Sequence, residues 1–178
     1  MSLEDQGLTR GDGVFETLHV LDGTAYKLDA GLPWLLPGVK TLSYAVNMAA
    51  VRYAHAHGAQ DAVFMTSTDH RILEGATSSV VCARHDDGAA PTLLTPEPSR
   101  GVLPGTSQAR IFDAARERGW AVDYGPLYPE DLFAASAVWL TSSVRLAVPV
   151  TSVDGRPVAS DPQLTRTLTD FLLGRPGR

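Results

Sequence analysis

The alternation of apolar and polar residues at the start of the chain predicts a β-hairpin. The pattern of residues 14–28 predicts two extended segments around Asp22-Gly23, a dipeptide that strongly favours a two-residue turn. A lone hairpin is not stable in water and must pack against further structure. After Asp29-Ala30, however, the chain continues directly into the connector GLPWLLPG, which is punctuated by glycine and proline. The N-terminal region is therefore too short to form a core of its own.

A spacing of three and four residues between apolar positions predicts a helix at about 43–57. Thr41 or Ser43 is a suitable N-cap, and Gly58 is a suitable C-terminal stop. The periodic positions predict a buried stripe, which consists of Val46, Ala49, Ala50, Tyr53 and His57.

The rest of the chain alternates strand and helix patterns and predicts the α+β class. The predicted helices are 107–118, 129–133 and 162–173. An extended piece is predicted at 147–153, before the turn Asp154-Gly155. The other predicted strands are 61–66, 71–74, 80–84, 92–95, 120–124 and 137–141.

Composition limits the classes of function. A chain of 178 residues with 44% hydrophobic residues can bury a substantial core. The net charge of −5 disfavours nucleic acid and membrane as partners, because both usually attract basic surfaces. We expect a cytoplasmic protein, because the start lacks the apolar segment of a signal peptide and the single Cys82 has the setting of a buried strand residue. With one cysteine and scattered histidines, we expect no metal site.

Lys40 and Glu74 are the ionisable side chains with the strongest case for chemistry. The chain has only two lysines, Lys27 and Lys40, and Lys40 follows the apolar Leu36 and Val39. Desolvation would favour the neutral amine, which can condense with a carbonyl group, although lysines also extend along apolar surfaces without such a role. Glu74 ends a predicted strand. A carboxylate there can keep a pyridinium nitrogen protonated, or can be an ordinary solvated acid.

The segment from Gly101 to Gly119 is a candidate phosphate site. Its loop opens a helix at Thr106 and Ser107, where free backbone N–H groups and the helix dipole favour an anion, although ordinary N-caps use the same residue types. Ser142 and Ser143 follow a predicted strand and would supply further hydroxyls, although they also suit a polar turn.

Taken together, these segments resemble the fold-type IV pyridoxal-phosphate enzymes, which include branched-chain and D-amino-acid aminotransferases and 4-amino-4-deoxychorismate lyases. The family's N-terminal signature is similar to LTRGDGVFETLHVLDG in this chain, and its Schiff-base lysine segment is similar to GVKTLSYAVNMAAVRYA. Its strand with the acid that faces the pyridine nitrogen is similar to ILEGATSSVV. The phosphate-binding loop and helix resemble LLTPEPSRGVLPGTSQARI, and the closing strand and turn resemble VWLTSSVRLAVPVTSVDGRPV. The matches follow the family's order over nearly the whole chain.

The resemblance implies a role for each candidate residue. Lys40 would form the Schiff base with pyridoxal phosphate and then transfer protons, while Glu74 would pair with the ring nitrogen. The ligands of the cofactor phosphate would be Thr106, Ser107, Ser142 and Ser143.

The resemblance also implies a two-domain D-amino-acid aminotransferase-like architecture with a truncated small N-terminal domain. Residues 1–30 would be the hairpin remnant of that domain, 31–38 a connector and 39–178 the larger α/β domain that binds the cofactor. Most of the small domain, with the arginine that grips the cofactor phosphate in the family, is absent at the junction of Ala30 and Gly31. We expect a segment missing from this sequence rather than a shortened protein, because both flanks resemble intact parts of a family member.

For function, the resemblance favours a deoxychorismate-type lyase, which forms 4-aminobenzoate and pyruvate on the folate route. It implies a homodimer that acts on a small-molecule amino substrate. Thr17 lies where these lyases carry a threonine near the reacting part of the substrate, and Phe15 replaces the tyrosine of D-amino-acid aminotransferases. A branched-chain or D-amino-acid aminotransferase is the alternative within the family. A non-catalytic remnant without cofactor is the alternative from another class, since the pocket of a truly shortened chain would lack a wall.

Overall fold

The structure, a computed structural model, describes residues 18–21, 24–27, 45–66, 69–85, 90–98 and 102–175, the first two segments by their backbone alone. The strands within these residues are β1 (Leu18–Leu21), β2 (Thr24–Lys27), β3 (Val63–Met65), β4 (Ile72–Gly75), β5 (Ser79–Arg84), β6 (Thr92–Pro96), β7 (Ala121–Gly125), β8 (Ala137–Ser142), β9 (Leu146–Pro149), β10 (Ser152–Val153) and β11 (Arg156–Pro157). The helices are α1 (Ala45–Ala56), α2 (Thr106–Glu117), α3 (Pro129–Ala134) and α4 (Pro162–Leu173).

A five-stranded sheet in the order β7-β6-β5-β8-β9 forms the centre of the fold. β6 and β7 are parallel and are joined through α2, whereas the other neighbouring strands are antiparallel. In the β5–β8 pair Ser79 is opposite Thr141, so the amino end of β5 adjoins the carboxyl end of β8. This edge of the sheet carries the candidate site.

Both faces of the sheet are covered, and successive strand residues point into two different cores. One core joins the sheet to α2 and α4, and its large members are Leu93, Ile111, Phe112, Trp139, Leu164, Leu168 and Phe171. The other core lies on the opposite face and includes Ile72, Val80, Leu94, Leu127, Leu132, Val138 and Leu140. A strand that is buried on both faces requires a nearly continuous apolar run, which explains the sequence SVVCA of β5.

Trp139 anchors α4 to the sheet. Its side chain is fully buried, and its indole Nε1 donates a hydrogen bond of 2.8 Å to Thr165 Oγ1. The Asp161 carboxylate caps α4 by accepting two backbone N–H groups of the first turn. Gly174 ends the helix with a φ of 65°, a left-handed conformation that glycine adopts without strain.

Cys82 lies in the second core, as its setting in the sequence predicts. Burial raises the pKa of its thiol to about 12, so the sulfur stays protonated and packs as a small apolar group. None of the helices that the structure describes has the length and apolar character needed to cross a membrane.

The structure confirms most of the predicted elements, with ends that shift by one or two residues. α4 has the predicted bounds, and β1 and β2 pair Leu21 with Thr24 across the expected turn. The prediction of a single extended piece at 147–153 is wrong. β9 pairs with β8 and ends at Pro149, whereas β10 leaves the sheet to form its own hairpin with β11. The predicted caps at Thr41 and Ser43, and the connector 31–38, lie outside the described residues.

The predicted buried stripe of α1 is wrong at three of its five positions, whereas Val46 and Ala50 are half-buried. The members of that stripe that lie exposed are Ala49, Tyr53 and His57. Ala54 is instead the buried residue of the helix, and Asn47 is on the same face because its amide donates a 2.6 Å hydrogen bond to the Ala76 carbonyl. The apolar pattern gave the wrong face because the polar Asn47 lies on the inner side of the helix. The rings of Tyr53 and His57 stack on each other on the exposed side, with their centroids 4.1 Å apart.

The packing of α4 yields a stability prediction. Leu168→Ala should lower the free energy of unfolding by about 3 kcal/mol, because Leu168 is 0% exposed and its truncation leaves a cavity. Leu173→Ala on the same helix is the matched control and should change the free energy by less than about 0.5 kcal/mol, because Leu173 is 44% exposed. Urea unfolding measures both, and equal losses would contradict this packing.

Candidate active site

A cavity of about 410 Å³ opens where the ends of β4, β5 and β8 meet the start of α2. This volume lies within the range of small-molecule sites in proteins. Eight of the lining residues carry a hydroxyl group, and Glu74 is the one ionisable residue among those that line the described part of the cavity. The lining therefore suits a polar ligand held by many neutral donors and one carboxylate.

The turn between β4 and β5 forms one wall of this cavity. The Gly75 N–H donates to the Ser78 carbonyl at 2.7 Å and closes the turn. The Ser78 hydroxyl is buried against Gly75 and has no hydrogen-bond partner among the described groups. A Cβ atom on Gly75 would overlap this hydroxyl, so glycine allows the hydroxyl to lie against the backbone here.

Glu74 lies at the carboxyl end of β4, half-buried in the same wall. Its Oε2 accepts the backbone N–H of Leu103 at 3.1 Å. Leu103 is followed by Pro104 and Gly105, and α2 begins at the next residue. The carboxylate is thus tied to the loop that delivers the start of the helix.

The start of α2 forms the second wall. Gly105 is its N-cap, no side chain caps the helix, and the first turn carries no acidic residue. The first N–H groups of an α-helix lack intrahelical partners and favour an anion. Ser107 Oγ lies 3.5 Å from Ser143 Oγ, so a second source of hydroxyls adjoins these N–H groups. A Cβ atom on Gly105 would overlap the Ser79 hydroxyl, so glycine allows this close approach.

The turn between β8 and β9 forms the third wall with Ser142 and Ser143. Ser142 Oγ accepts the backbone N–H of Arg145 at 3.1 Å. The Arg145 guanidinium extends away from this turn to Asp61 Oδ2 at 2.6 Å and to Thr77 Oγ1 at 3.3 Å. The contact with Thr77 joins this turn to the β4–β5 turn, which also lines the cavity.

The structure brings five of the predicted site residues to this one cavity, namely Glu74, Thr106, Ser107, Ser142 and Ser143. Lys40 and Thr17 lie outside the described residues, so their positions stay predictions. Within the cavity the carboxylate can hold the proton of a basic ring nitrogen, and the helix start with its hydroxyls can hold a phosphate group.

Sequence reasoning missed several residues that shape the site. Gly75 and Gly105 shape the site because a serine hydroxyl lies close to the backbone of each. Ser78 approaches Gly75, and Ser79 approaches Gly105. Asn47 interrupts the apolar pattern of α1, and that interruption was an available signal. Asp61 and Arg145 pair across a wide sequence separation, which left no local signal.

A family model described as amino-transferase class IV matches residues 30–153 of the chain. The match begins beside the junction at which the predicted small domain breaks off. A bifunctional aminodeoxychorismate lyase / D-amino acid transaminase from Mycobacterium tuberculosis is 45% identical over 149 residues, which are 78% of this chain and 51% of the relative.

Solved structures agree with this match. A hypothetical aminotransferase from Mycobacterium tuberculosis in a form with pyridoxal phosphate bound is 42% identical with a TM-score of 0.72, over 80% of this chain and 48% of that one. A fold IV transaminase from Curtobacterium pusillum is 44% identical with a TM-score of 0.71, over 80% of this chain and 46% of that one. The chain thus spans about half the length of these relatives. It belongs to the class IV aminotransferase family of pyridoxal-phosphate-dependent enzymes and has their fold-type IV, α+β architecture.

Proposed function

We propose that this protein binds pyridoxal phosphate and acts as a lyase of the aminodeoxychorismate type, forming 4-aminobenzoate and pyruvate. The observation that carries the proposal is a single cavity in which one wall presents a carboxylate and another presents an uncapped helix start surrounded by hydroxyls. The name of the Mycobacterium tuberculosis relative, which states this lyase activity, gives independent support.

The phosphate of the cofactor would bind at the start of α2. The N–H groups of the first turn and the hydroxyls of Thr106, Ser107 and Ser143 provide donors, and no acidic residue in the first turn opposes an anion there. Gly105, which the Ser79 hydroxyl approaches closely, places no side chain at the start of the helix.

The ring nitrogen of the cofactor would face Glu74. The Leu103 N–H holds one oxygen of this carboxylate and so fixes its orientation. A carboxylate beside the nitrogen keeps the ring protonated, because the ion pair favours the charged form of both groups. The bound cofactor then supplies an electron sink that stabilises negative charge on the substrate carbon.

Lys40 would hold the cofactor covalently and move protons at the substrate. Lys40 precedes α1 by five residues in the sequence, and the first turn of α1 contributes Asn47 to the cavity lining. A neutral amine is a suitable base for the proton on the substrate carbon, and the ammonium group that it becomes is a suitable acid for donating that proton again. The Thr17 hydroxyl would orient the part of the substrate that leaves as pyruvate.

A transaminase is the second candidate, because the same relative is also named a D-amino acid transaminase. Both reactions would use the same cofactor and begin with the same removal of a proton from the substrate carbon. They differ afterwards, because the lyase eliminates pyruvate whereas the transaminase passes the amino group to a keto acid. We further propose a homodimeric, cytoplasmic enzyme that acts on a small amino substrate, with its cofactor-binding domain at 39–178.

The two reactions separate in one assay. The cofactor-loaded protein should release pyruvate and 4-aminobenzoate from 4-amino-4-deoxychorismate without any keto acid, because elimination needs no amino acceptor. Coupled detection of pyruvate and fluorescence of 4-aminobenzoate measure the two products. Turnover that occurs only after a keto acid is added, with amino transfer from a D-amino acid, would refute the lyase and support the transaminase.

The two lysines of the chain permit a matched test of covalent attachment. The wild-type chain with pyridoxal phosphate should develop a visible absorbance. Borohydride reduction should remove this absorbance and leave the cofactor covalently attached, which increases the mass of the protein. Lys40→Ala should abolish both signals, because it removes the amine that would bind the cofactor, whereas Lys27→Ala should retain them. A colourless wild-type protein with no mass increase would instead support the non-catalytic alternative.

Glu74→Gln tests the proposed contact with the ring nitrogen. The amide is nearly the same size but cannot stabilise a protonated ring, so we expect kcat to fall by at least about 100-fold. The affinity for the cofactor should change much less, because the phosphate contacts remain. Glu117→Gln, on the exposed last turn of α2, is the control and should keep wild-type turnover. Retention of full kcat in Glu74→Gln would exclude this role.

A further inference from the structure

The ion pair between Arg145 and Asp61 lies at the rim of the cavity and takes no part in the proposed chemistry. Arg145 Nη2 is 2.6 Å from Asp61 Oδ2 and 3.3 Å from Thr77 Oγ1. Asp61 is only 11% exposed, although Arg145 is 39% exposed. The pair is thus more desolvated on its acidic side than an ordinary surface ion pair.

This ion pair belongs to a network that holds two walls of the cavity. Asp61 Oδ1 accepts the backbone N–H of Ala62 at 2.8 Å. The Ala62 carbonyl in turn accepts the N–H of Ala76, in the β4–β5 turn, at 3.0 Å. Arg145 also reaches that turn directly through Thr77. The β8–β9 turn is therefore fixed to the β4–β5 turn by two connected routes.

The β8–β9 turn needs such an external constraint. Leu146 ends the turn at a φ of 60°, in the left-handed region that a branched side chain rarely adopts. Strain of this kind persists where surrounding contacts determine the backbone. The same Arg145 residue donates its backbone N–H to Ser142 Oγ, so its placement also orients one of the hydroxyls in the cavity.

We propose that Arg145 is a positioning residue for the phosphate end of the site, an inference that rests on the proposed function. Its side chain holds the β8–β9 turn against Asp61 and Thr77 and thereby places the hydroxyl of Ser143 beside Ser107 at the start of α2. Its backbone N–H orients the hydroxyl of Ser142. Arg145 acts on the ligand through these hydroxyls rather than by touching it. Its loss should weaken the binding of a phosphate group and leave the ring contacts unchanged.

Calorimetric titration of the 178-residue chain with three probes tests this role. The probes are pyridoxal phosphate, inorganic phosphate and pyridoxal, which lacks the phosphate group. Arg145→Ala should raise the dissociation constants of pyridoxal phosphate and inorganic phosphate about tenfold, an effect typical of residues in one hydrogen-bond network. The dissociation constant of pyridoxal should not change. Asp61→Ala should have the same effect, and the double variant should bind no more weakly than either single variant.

Two further variants separate positioning from general stability. Arg84→Ala breaks the 2.5 Å ion pair with Asp131 at the other end of β5, and it should leave all three dissociation constants unchanged. Arg145→Lys keeps the charge but cannot contact Asp61 and Thr77 with one planar group, so its affinity for phosphate should be intermediate. This variant also serves where Arg145→Ala does not fold.

Unchanged phosphate affinity in both Arg145 variants, or an equal loss for pyridoxal, would overturn the positioning role. Failure of both variants to fold would overturn it as well, since Arg145 would then act on the stability of the whole chain. A wild-type chain that binds neither pyridoxal phosphate nor inorganic phosphate would instead refute the proposed function itself, so the two failures are distinguishable.

Discussion

The tight turn between β4 and β5 is the constraint on which the site depends. The Gly75 N–H closes it onto the Ser78 carbonyl, and the Ser78 hydroxyl occupies the space that any side chain at Gly75 would need. The turn carries the chain from the β3–β4 hairpin into the central strand β5. It therefore fixes both the carboxylate of Glu74, just before it, and the hydroxyl of Ser79, just after it.

Contacts from three other parts of the fold converge on this turn. Asn47 of α1 and the Ala62 carbonyl bind the backbone of Ala76, and Arg145 of the β8–β9 turn binds Thr77. A turn with so many partners is held in a single conformation, which is the usual requirement for a site whose donors must be in place before the ligand arrives. The rigidity of the cavity thus comes from polar contacts at the ends of the strands, whereas the two apolar cores hold the strands themselves.

The elements of the fold were largely predictable because their signals are local. The apolar run of β5, the Asp161 cap and the glycine stops of the helices each act within a few residues, and the family resemblance supplied their order. Periodicity failed on α1, because Asn47 replaces an apolar residue on the inner face in order to bind a backbone carbonyl. A pattern of hydrophobicity has no means of recording a hydrogen bond to a residue elsewhere in the sequence.

For the site, residue types were predictable but contacts were not. Glu74 and the serine and threonine residues could be chosen from their setting and the resemblance, because each follows a strand or opens a helix. The pairing of Asp61 with Arg145 and the approach of Ser79 to Gly105 depend on tertiary packing and had no counterpart in the sequence pattern. These contacts lie beside the hydroxyls that we propose to bind the phosphate.

The described lining of the cavity offers an anion neutral donors rather than a cationic side chain. The described lining contains neither lysine nor arginine, and Arg145 is committed to Asp61 and Thr77 instead. Attraction for a phosphate would then come from backbone N–H groups and oriented hydroxyls. Their hydrogen bonds weaken when the donor moves by as little as about one ångström. A point charge tolerates such displacement better, because Coulomb attraction varies slowly with distance. The neutral donors in the described lining therefore depend heavily on the residues that position them.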